Sequence, residues 1–349
     1  MNNSTASRYN YWREMVRRWF IIRDHPSKPE SLRLALSSVV LLIVIWQILT
    51  YGAPEERIID NLTLPSPWET VTSFYSLWFD RALARSAVWS LGRVLGGFIL
   101  AAAIGIPLGV LASSFRRFMA FLQPLLIFGR NVPIAALIPL TLIWFGLGET
   151  QKVMFIFFSC VAFIVFDSSR AIDAIPDSYL DTAYTLGAVY VPRQGLIWAT
   201  VIGLTYGIIF FAAYLMLSTW PGSADPGAVI SSWLHGLIWA GLVGVALGFG
   251  LWYPITAYQA VRKVLLPLAL PEIFNSLRLI FGLAFGYIML AEVINAEHGL
   301  GSIIILSQRR GPREHIYLAL VIIALLAFGI DRLMLYAQKK LFPYRVVGE

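Results

Sequence analysis

Three ionisable residues stand inside long apolar runs: Arg93, Arg130 and Glu292. A charge at membrane depth is costly, so such residues pair with one another, meet water, or line the route of a solute. Arg130 stands beside Asn131 and just ahead of Pro133, in a run that also holds Pro124 and Pro139. Proline leaves carbonyls without partners, and a helix broken in this way can turn free backbone groups toward a translocation path. Arg130, Asn131, Pro133 and Glu292 are therefore the candidate path residues. For Glu292 and Arg93 the plain alternative is an interhelical ion pair. A second constellation is the polar stretch D-A-I-P-D-S-Y-L-D-T-A-Y-T-L-G, from Asp173 to Gly187. Pro176 sets the start of a short helix, and Ser178 and Asp181 have the S-x-x-D spacing of a capping box. Gly187 supplies the left-handed residue that ends it. A rigid helix between two apolar runs is a handle or an ordinary loop helix, not a catalyst.

Signs of chemistry beyond this are missing. His25, His235, His298 and His315 are scattered without metal-ligand spacing, so no metal site is expected. No Gly-Lys dipeptide occurs, which removes the common ATP-binding loop, and neither a nucleophile elbow nor a dinucleotide fingerprint is present. The chain is expected to carry no cofactor and to be no enzyme. Any energy source must come from another subunit.

The elements that position these residues are membrane helices. Hydrophobic residues make up 58% of the 349 and charged residues only 13%, too few charges to cover a soluble surface. The single cysteine, Cys160, excludes a disulfide scaffold. A net charge of +7 would suit nucleic acid, but the basic residues flank apolar runs and form no basic stripe, so no nucleic-acid partner is expected. The fold expected is an all-α polytopic bundle in the lipid bilayer. Residues 1–31 form a tail whose Tyr9–Arg23 stretch reads as an interfacial amphipathic helix, with Trp12, Trp19 and interleaved arginines. Residues 32–52 are the first span and 53–87 an external segment, with a short interfacial helix over Trp68–Phe79. Later spans read Val88–Ser113, Phe121–Leu147 with its proline breaks, Val153–Phe166, Leu196–Trp220, Val229–Trp252, Leu277–Ile294 and Tyr317–Leu335. Eight crossings return both termini to one side of the plasma membrane. With that order eighteen Lys and Arg fall on the side of the termini and seven on the other, so the termini are expected in the cytoplasm.

Asp181-Thr182-Ala183 followed by Gly187 resembles the EAA motif of ABC-importer permeases, with Asp for Glu and Thr for the first Ala. L-P-S-P at Leu64–Pro67, S-L-G-R-V-L-G-G-F at Ser90–Phe98 and G-I-P-L-G at Gly105–Gly109 are similar to the nitrate/sulfonate/taurine-type permease family. So are N-V-P-I-A-A-L-I-P-L-T-L-I-W-F-G-L-G-E at Asn131–Glu149, V-L-L-P-L-A-L-P at Val264–Pro271, N-S-L-R-L-I-F-G-L-A at Asn275–Ala284 and G-L-G at Gly299–Gly301. The resemblance implies a type I importer bundle working by alternating access as a homodimer or pseudo-dimer, a second permease copy completing the path. It also implies a cytoplasmic ATP-binding subunit that receives the helix of Ser178, Asp181, Thr182, Ala183 and Gly187, and an external solute-binding protein. The implied solutes are small anions such as nitrate, sulfonates, taurine or bicarbonate, and pyrimidine precursors.

One departure is large. The family's spacing from the EAA glycine to the L-P pair would put that glycine at position 254, whereas the matching residue is Gly187. The permease core therefore reads as two parts, 88–188 and 256–349, separated by an inserted hydrophobic hairpin over 189–255. Gly244 and Gly248 form a GxxxG pair within it. Ser223, in its turn, is expected on the external face. The rival reading is an ion-gradient-driven secondary transporter or channel, which would want carboxylates open to a cavity. A second rival, an intramembrane enzyme, lacks a visible constellation.

Overall fold

The computed structural model describes residues 20–21, 26–53, 56–218, 226–295, 297–310 and 312–344. Most of the Tyr9–Arg23 helix and the turn holding Ser223 lie outside the described residues.

The chain divides into two units, the first ending at Thr72. In that unit α1 (Lys28–Leu49) is apolar and long enough to cross a bilayer. Trp46 Nε1 donates to the Pro65 carbonyl at 2.9 Å, tying the helix to the segment that returns along it. A capping box opens α2 (Pro67–Thr72): the Ser66 amide donates to Glu69 Oε2 at 2.8 Å and the Glu69 amide to Ser66 Oγ at 3.2 Å. Arg57 grips the same carboxylate with two nitrogens, at 2.9 and 3.2 Å. That guanidinium, together with the Ser66 bonds, holds the Glu69 carboxyl down at about 2, against the opposing pull of burial.

The second unit starts at Ser73. The single interfacial helix expected over Trp68–Phe79 is two short ones, α2 and α3 (Phe74–Phe79), parted at Ser73. The central pair is α4 (Leu83–Ser114) and α7 (Glu149–Asp173). They approach closely because Gly97, Gly105 and Gly109 line one side of α4. A Cβ on Gly97 would sit 2.5 Å from the Val153 carbonyl, and one on Gly109 2.5 Å from that of Val165. Val94, Phe98, Phe155 and Ile156 pack in this seam with Phe281 and Phe285 of α12 (Leu266–Asn295).

Between the central pair the chain makes α5 (Arg116–Asn131) and, after a 3₁₀ turn, α6 (Leu137–Phe145). The two are bent by 90° at Val132 and Pro133, so the span read as Phe121–Leu147 is not one straight crossing. Pro124 lies inside α5 without ending it. Among the described residues seven helical stretches are long and apolar enough to span, or up to eight with the bent pair counted as one. The short helix α8 (Asp177–Thr185) follows α7, and then two long antiparallel helices pair off, α9 (Pro192–Ser218) and α10 (Pro226–Val245). A π-helical stretch, Ala246–Trp252, leads into α11 (Tyr253–Ala257), and another, Val261–Leu265, into α12. The α12 helix therefore starts well before the expected Leu277 and carries Pro271 inside it. Finally α13 (Leu300–Arg310) and α14 (Glu314–Leu341) complete the unit. Among the described residues the structure is helical, with one isolated bridge between Tyr190 and Tyr258.

Candidate functional site

The α8 helix is rooted by Leu180 and Ala183. Leu180 packs against a buried cluster that includes Val110, Leu111, Ala171, Ile172, Val261 and Leu265, the helix lying on the π-helical stretch Val261–Leu265, and Ala183 is buried. Flanking that anchored face, Tyr179 and Tyr184 are exposed, as is the C-cap Leu186, which is 83% accessible. Large apolar side chains held outward on a rigid, anchored helix make a contact surface. The C-terminal stop is a Schellman motif: the Ala188 amide donates to the Ala183 carbonyl at 2.9 Å and the Gly187 amide to the Tyr184 carbonyl at 3.0 Å. Gly187 has φ +83°, as its position required.

The N-terminal end differs from expectation. Pro176 is the N-cap and no side chain caps the helix, so Ser178 and Asp181 form no capping box. Starting at Asp177 puts Ser178 one residue inside, where its side chain no longer lies over the free amides. Instead the Ser178 carbonyl accepts from Thr182 Oγ1 at 2.7 Å, and the Asp181 carbonyl from Thr185 Oγ1 at 3.1 Å. Asp177 supplies the negative charge of the first turn.

The four path residues are not brought into one constellation. Arg130 is exposed and its guanidinium lies 3.7 Å from the centroid of the Phe166 ring, a cation–π contact. Asn131 Nδ2 donates to the Ile127 carbonyl at 2.9 Å, closing the last turn of α5 at the bend. Pro133 is exposed beside it, at the start of the 3₁₀ turn. Glu292 is fully buried, and its carboxylate takes Arg93 Nη1 at 2.6 Å, Ser90 Oγ at 2.7 Å and the Gly301 amide at 2.9 Å. This is the interhelical ion pair, not an open path carboxylate.

That ion pair is the centre of a cluster only part of which was legible. Arg93 also donates two bonds to Glu149, which receives Lys152 Nζ at 2.8 Å, and a third to the His298 carbonyl. Two cations and two carboxylates leave no net charge, and each is hydrogen-bonded, the conditions under which buried charge is tolerated. The Leu300 amide donates to Ser90 Oγ at 2.9 Å, so Ser90 and Glu292 together receive two otherwise free amides of α13. Gly299, with φ +141°, must lack a side chain, since a Cβ there would sit 2.6 Å from the Glu292 carboxyl carbon. Ser90 and Arg93 are three apart on one helix face, a visible signal. Nothing in the sequence joined them to Glu149 or Lys152.

The molecule is thus a multi-helix membrane subunit with an exposed, anchored handle at one end and a closed charge cluster at the other. It has the architecture of a transport permease. Residues 105–193 and 253–343, just over half of the chain, match the family described as binding-protein-dependent transport system inner membrane component, and the chain belongs to that family. It is 24% identical over 322 residues to a putative ABC transporter permease protein of Methanocaldococcus jannaschii, covering 90% of this chain and 93% of that one. It is 22% identical over 310 residues to the taurine transport system permease protein TauC of Escherichia coli, with coverage of 87% and 86%. The inward-facing MetNI methionine ABC transporter shares its fold, with a TM-score of 0.50 and 18% identity over 79% of this chain and 100% of that one. The chain is the non-catalytic, multi-pass membrane permease of an ABC importer, a subunit that works with a separate ATP-binding subunit and a solute-binding protein.

Proposed function

We propose that the chain imports a small anion by alternating access, as a homodimer with both termini in the cytoplasm, and that α8 is the helix through which the ATP-binding subunit drives it. The observation that carries this reading is α8 itself. It is anchored by Leu180 and Ala183, closed by Gly187, and exposes Tyr179, Tyr184 and Leu186. A lever needs that combination of a stiff attachment and a free contact face. The anion rests on similarity to a taurine permease and on the family motifs, and the orientation on the excess of Lys and Arg at the α8 end. An ion-gradient mechanism loses support, because Glu292, its best carboxylate, is fully paired.

We read 189–255 as an inserted hairpin. The family match is interrupted from 194 to 252, and the backbone closes across the gap: the Val191 amide donates to the Ala257 carbonyl at 2.9 Å and the Gln259 amide to that of Val189 at 3.3 Å. Gly203 and Gly207 face Gly244 and Gly248, backbone against backbone. Tyr206 donates to the Ala103 carbonyl of α4 at 2.9 Å. Those residues lie a similar number of helical turns from the α8 end, which supports a hairpin rising beside α4 through the bilayer.

Gly187→Val tests the lever. A Cβ at Gly187 meets nothing within 4 Å, so the cost is backbone strain alone, about 1–2 kcal/mol. The complex reconstituted with its ATP-binding subunit and binding protein should assemble, while solute-stimulated ATP hydrolysis falls severalfold. Normal stimulation would remove α8 from the coupling role.

A further inference from the structure

A cavity lies where the start of α5 meets the base of the α9–α10 hairpin. It measures about 570 Å³, within the range of small-ligand pockets. Phe118 and Phe121 of α5 form one wall, Tyr190, Tyr253 and Tyr258 another, and Arg117 reaches its rim.

Three features point to one kind of occupant. The first is charge. Arg116 and Arg117 occupy the first turn of α5, with no acidic residue in that turn and no side-chain cap. The amino end of a helix already carries partial positive charge, so two arginines there add to it instead of offsetting it. Neither arginine has an ion-pair partner among the described residues. An anion would answer the helix end and the guanidinium together. The second feature is the hydroxyl pair. Tyr190 and Tyr253 oxygens lie 2.7 Å apart, and one hydrogen suffices for that bond, which leaves the other O–H free to donate. The third is position. The cavity lies where α4 ends at Ser114 and α9 begins at Pro192, the level at which spanning helices leave hydrocarbon and tyrosines gather. Phe121, 69% exposed, stands farther along α5, on the hydrocarbon side of Arg117.

We propose that this pocket holds an anionic phospholipid from the leaflet on the α8 side, its phosphate on Arg117 and the free tyrosine hydroxyl, its first methylenes on Phe118 and Phe121. Basic pockets between spanning helices are suited to such headgroups. Tyr190 and Tyr253 flank the segment over which the family match is interrupted, and Gly250 of the lining lies within it, so the base of the hairpin completes the site. A lipid seated there bridges the hairpin and the permease core.

The test uses the full-length protein in nanodiscs of phosphatidylcholine containing a minor fraction of phosphatidylglycerol, with retained lipid counted by native mass spectrometry after extraction. Wild type should keep phosphatidylglycerol in preference to phosphatidylcholine. Arg117→Gln should weaken that preference about fivefold, the effect of one basic contact at roughly 1 kcal/mol, and Arg117→Lys should keep most of it. Inorganic phosphate at millimolar concentration should not displace the lipid, because it lacks the chains that Phe118 and Phe121 hold. Equal retention of the two lipids, an unchanged preference in Arg117→Gln, or displacement by phosphate would overturn the proposal. So would loss of the retained lipid when the ATP-binding subunit is added, which would make the pocket part of that protein interface.

Discussion

The two ends of the bundle treat charge in opposite ways. At one end Arg93, Lys152, Glu149 and Glu292 neutralise one another, and even the backbone amides of Leu300 and Gly301 are satisfied by Ser90 and Glu292. At the other end Arg116 and Arg117 crowd a helix start without a counter-charge, and Tyr179, Tyr184 and Leu186 stand in the open. Burial is the reason for the difference. An unpaired charge sealed among helices costs several kcal/mol, and the buried charges described there are paired, whereas a charge at the rim is tolerated and stays available to a partner. The satisfied end holds the architecture together. The unsatisfied end carries the face through which, in the function proposed, the ATP-binding subunit drives the permease.

Three substitutions sharpen that contrast. The largest effect is expected from Glu292→Ala, which leaves Arg93 with too little compensation and strips the α13 amides of an acceptor; about 3–5 kcal/mol should be lost. Thermal unfolding followed by size-exclusion chromatography in detergent should show it. The double variant Arg93→Met with Glu292→Leu should recover much of the loss, and a double variant as unstable as the single one would mean that charge is not what the cluster balances.

Glu69 offers a smaller effect, readable through pH. Its folded pKa, about 2, lies below the ordinary carboxylate value, so its contribution is fully present above about 4.5 and disappears as pH falls through 2. Because the carboxylate is partly exposed, solvent reduces this contribution to about 1 kcal/mol or less. The stability gap between wild type and Glu69→Gln should therefore be constant near neutrality and close below pH 4.5. A gap that widens on acidification would contradict the Arg57 pairing.

The smallest change in stability is expected at the open end. Tyr184→Ala removes an exposed ring and should shift unfolding by no more than about 0.5 kcal/mol. Binding of the ATP-binding subunit, measured by co-purification, should nevertheless weaken. If Tyr184→Ala unfolds the protein instead, the ring is part of the core and the contrast between the ends fails.

Capping chemistry shows how far the sequence could be read. The S-x-x-D spacing at Ser178–Asp181 suggested a box that does not form, while Ser66–Glu69, with the same kind of spacing, forms one. Proline decides between them. Pro67 occupies the first helical position, placing Ser66 at the cap, whereas Pro176 takes the cap itself and moves Ser178 inside. The Gly187 stop was legible because a left-handed residue after a helix is a local requirement. The GxxxG of Gly244 and Gly248 was legible too, but its partners Gly203 and Gly207 were not, since pairing two helices needs their register.

By itself the sequence determined what depends on neighbours along the chain: an all-helical membrane protein, its proline-broken span, its glycine-closed α8 and the order of motifs that marks a permease. The tertiary structure alone decided what depends on distant residues meeting. Glu292 became a closed ion pair because Arg93, about two hundred positions away, reaches it at 2.6 Å. The pocket beside Arg117 exists because Val189–Val191 and Ala257–Gln259 clasp the base of a hairpin whose Tyr190, Tyr253 and Tyr258 line it with Phe118 and Phe121 of α5. A hydrophobic pattern records which residues avoid water. Which of them touch is settled only when the helices choose their partners and register.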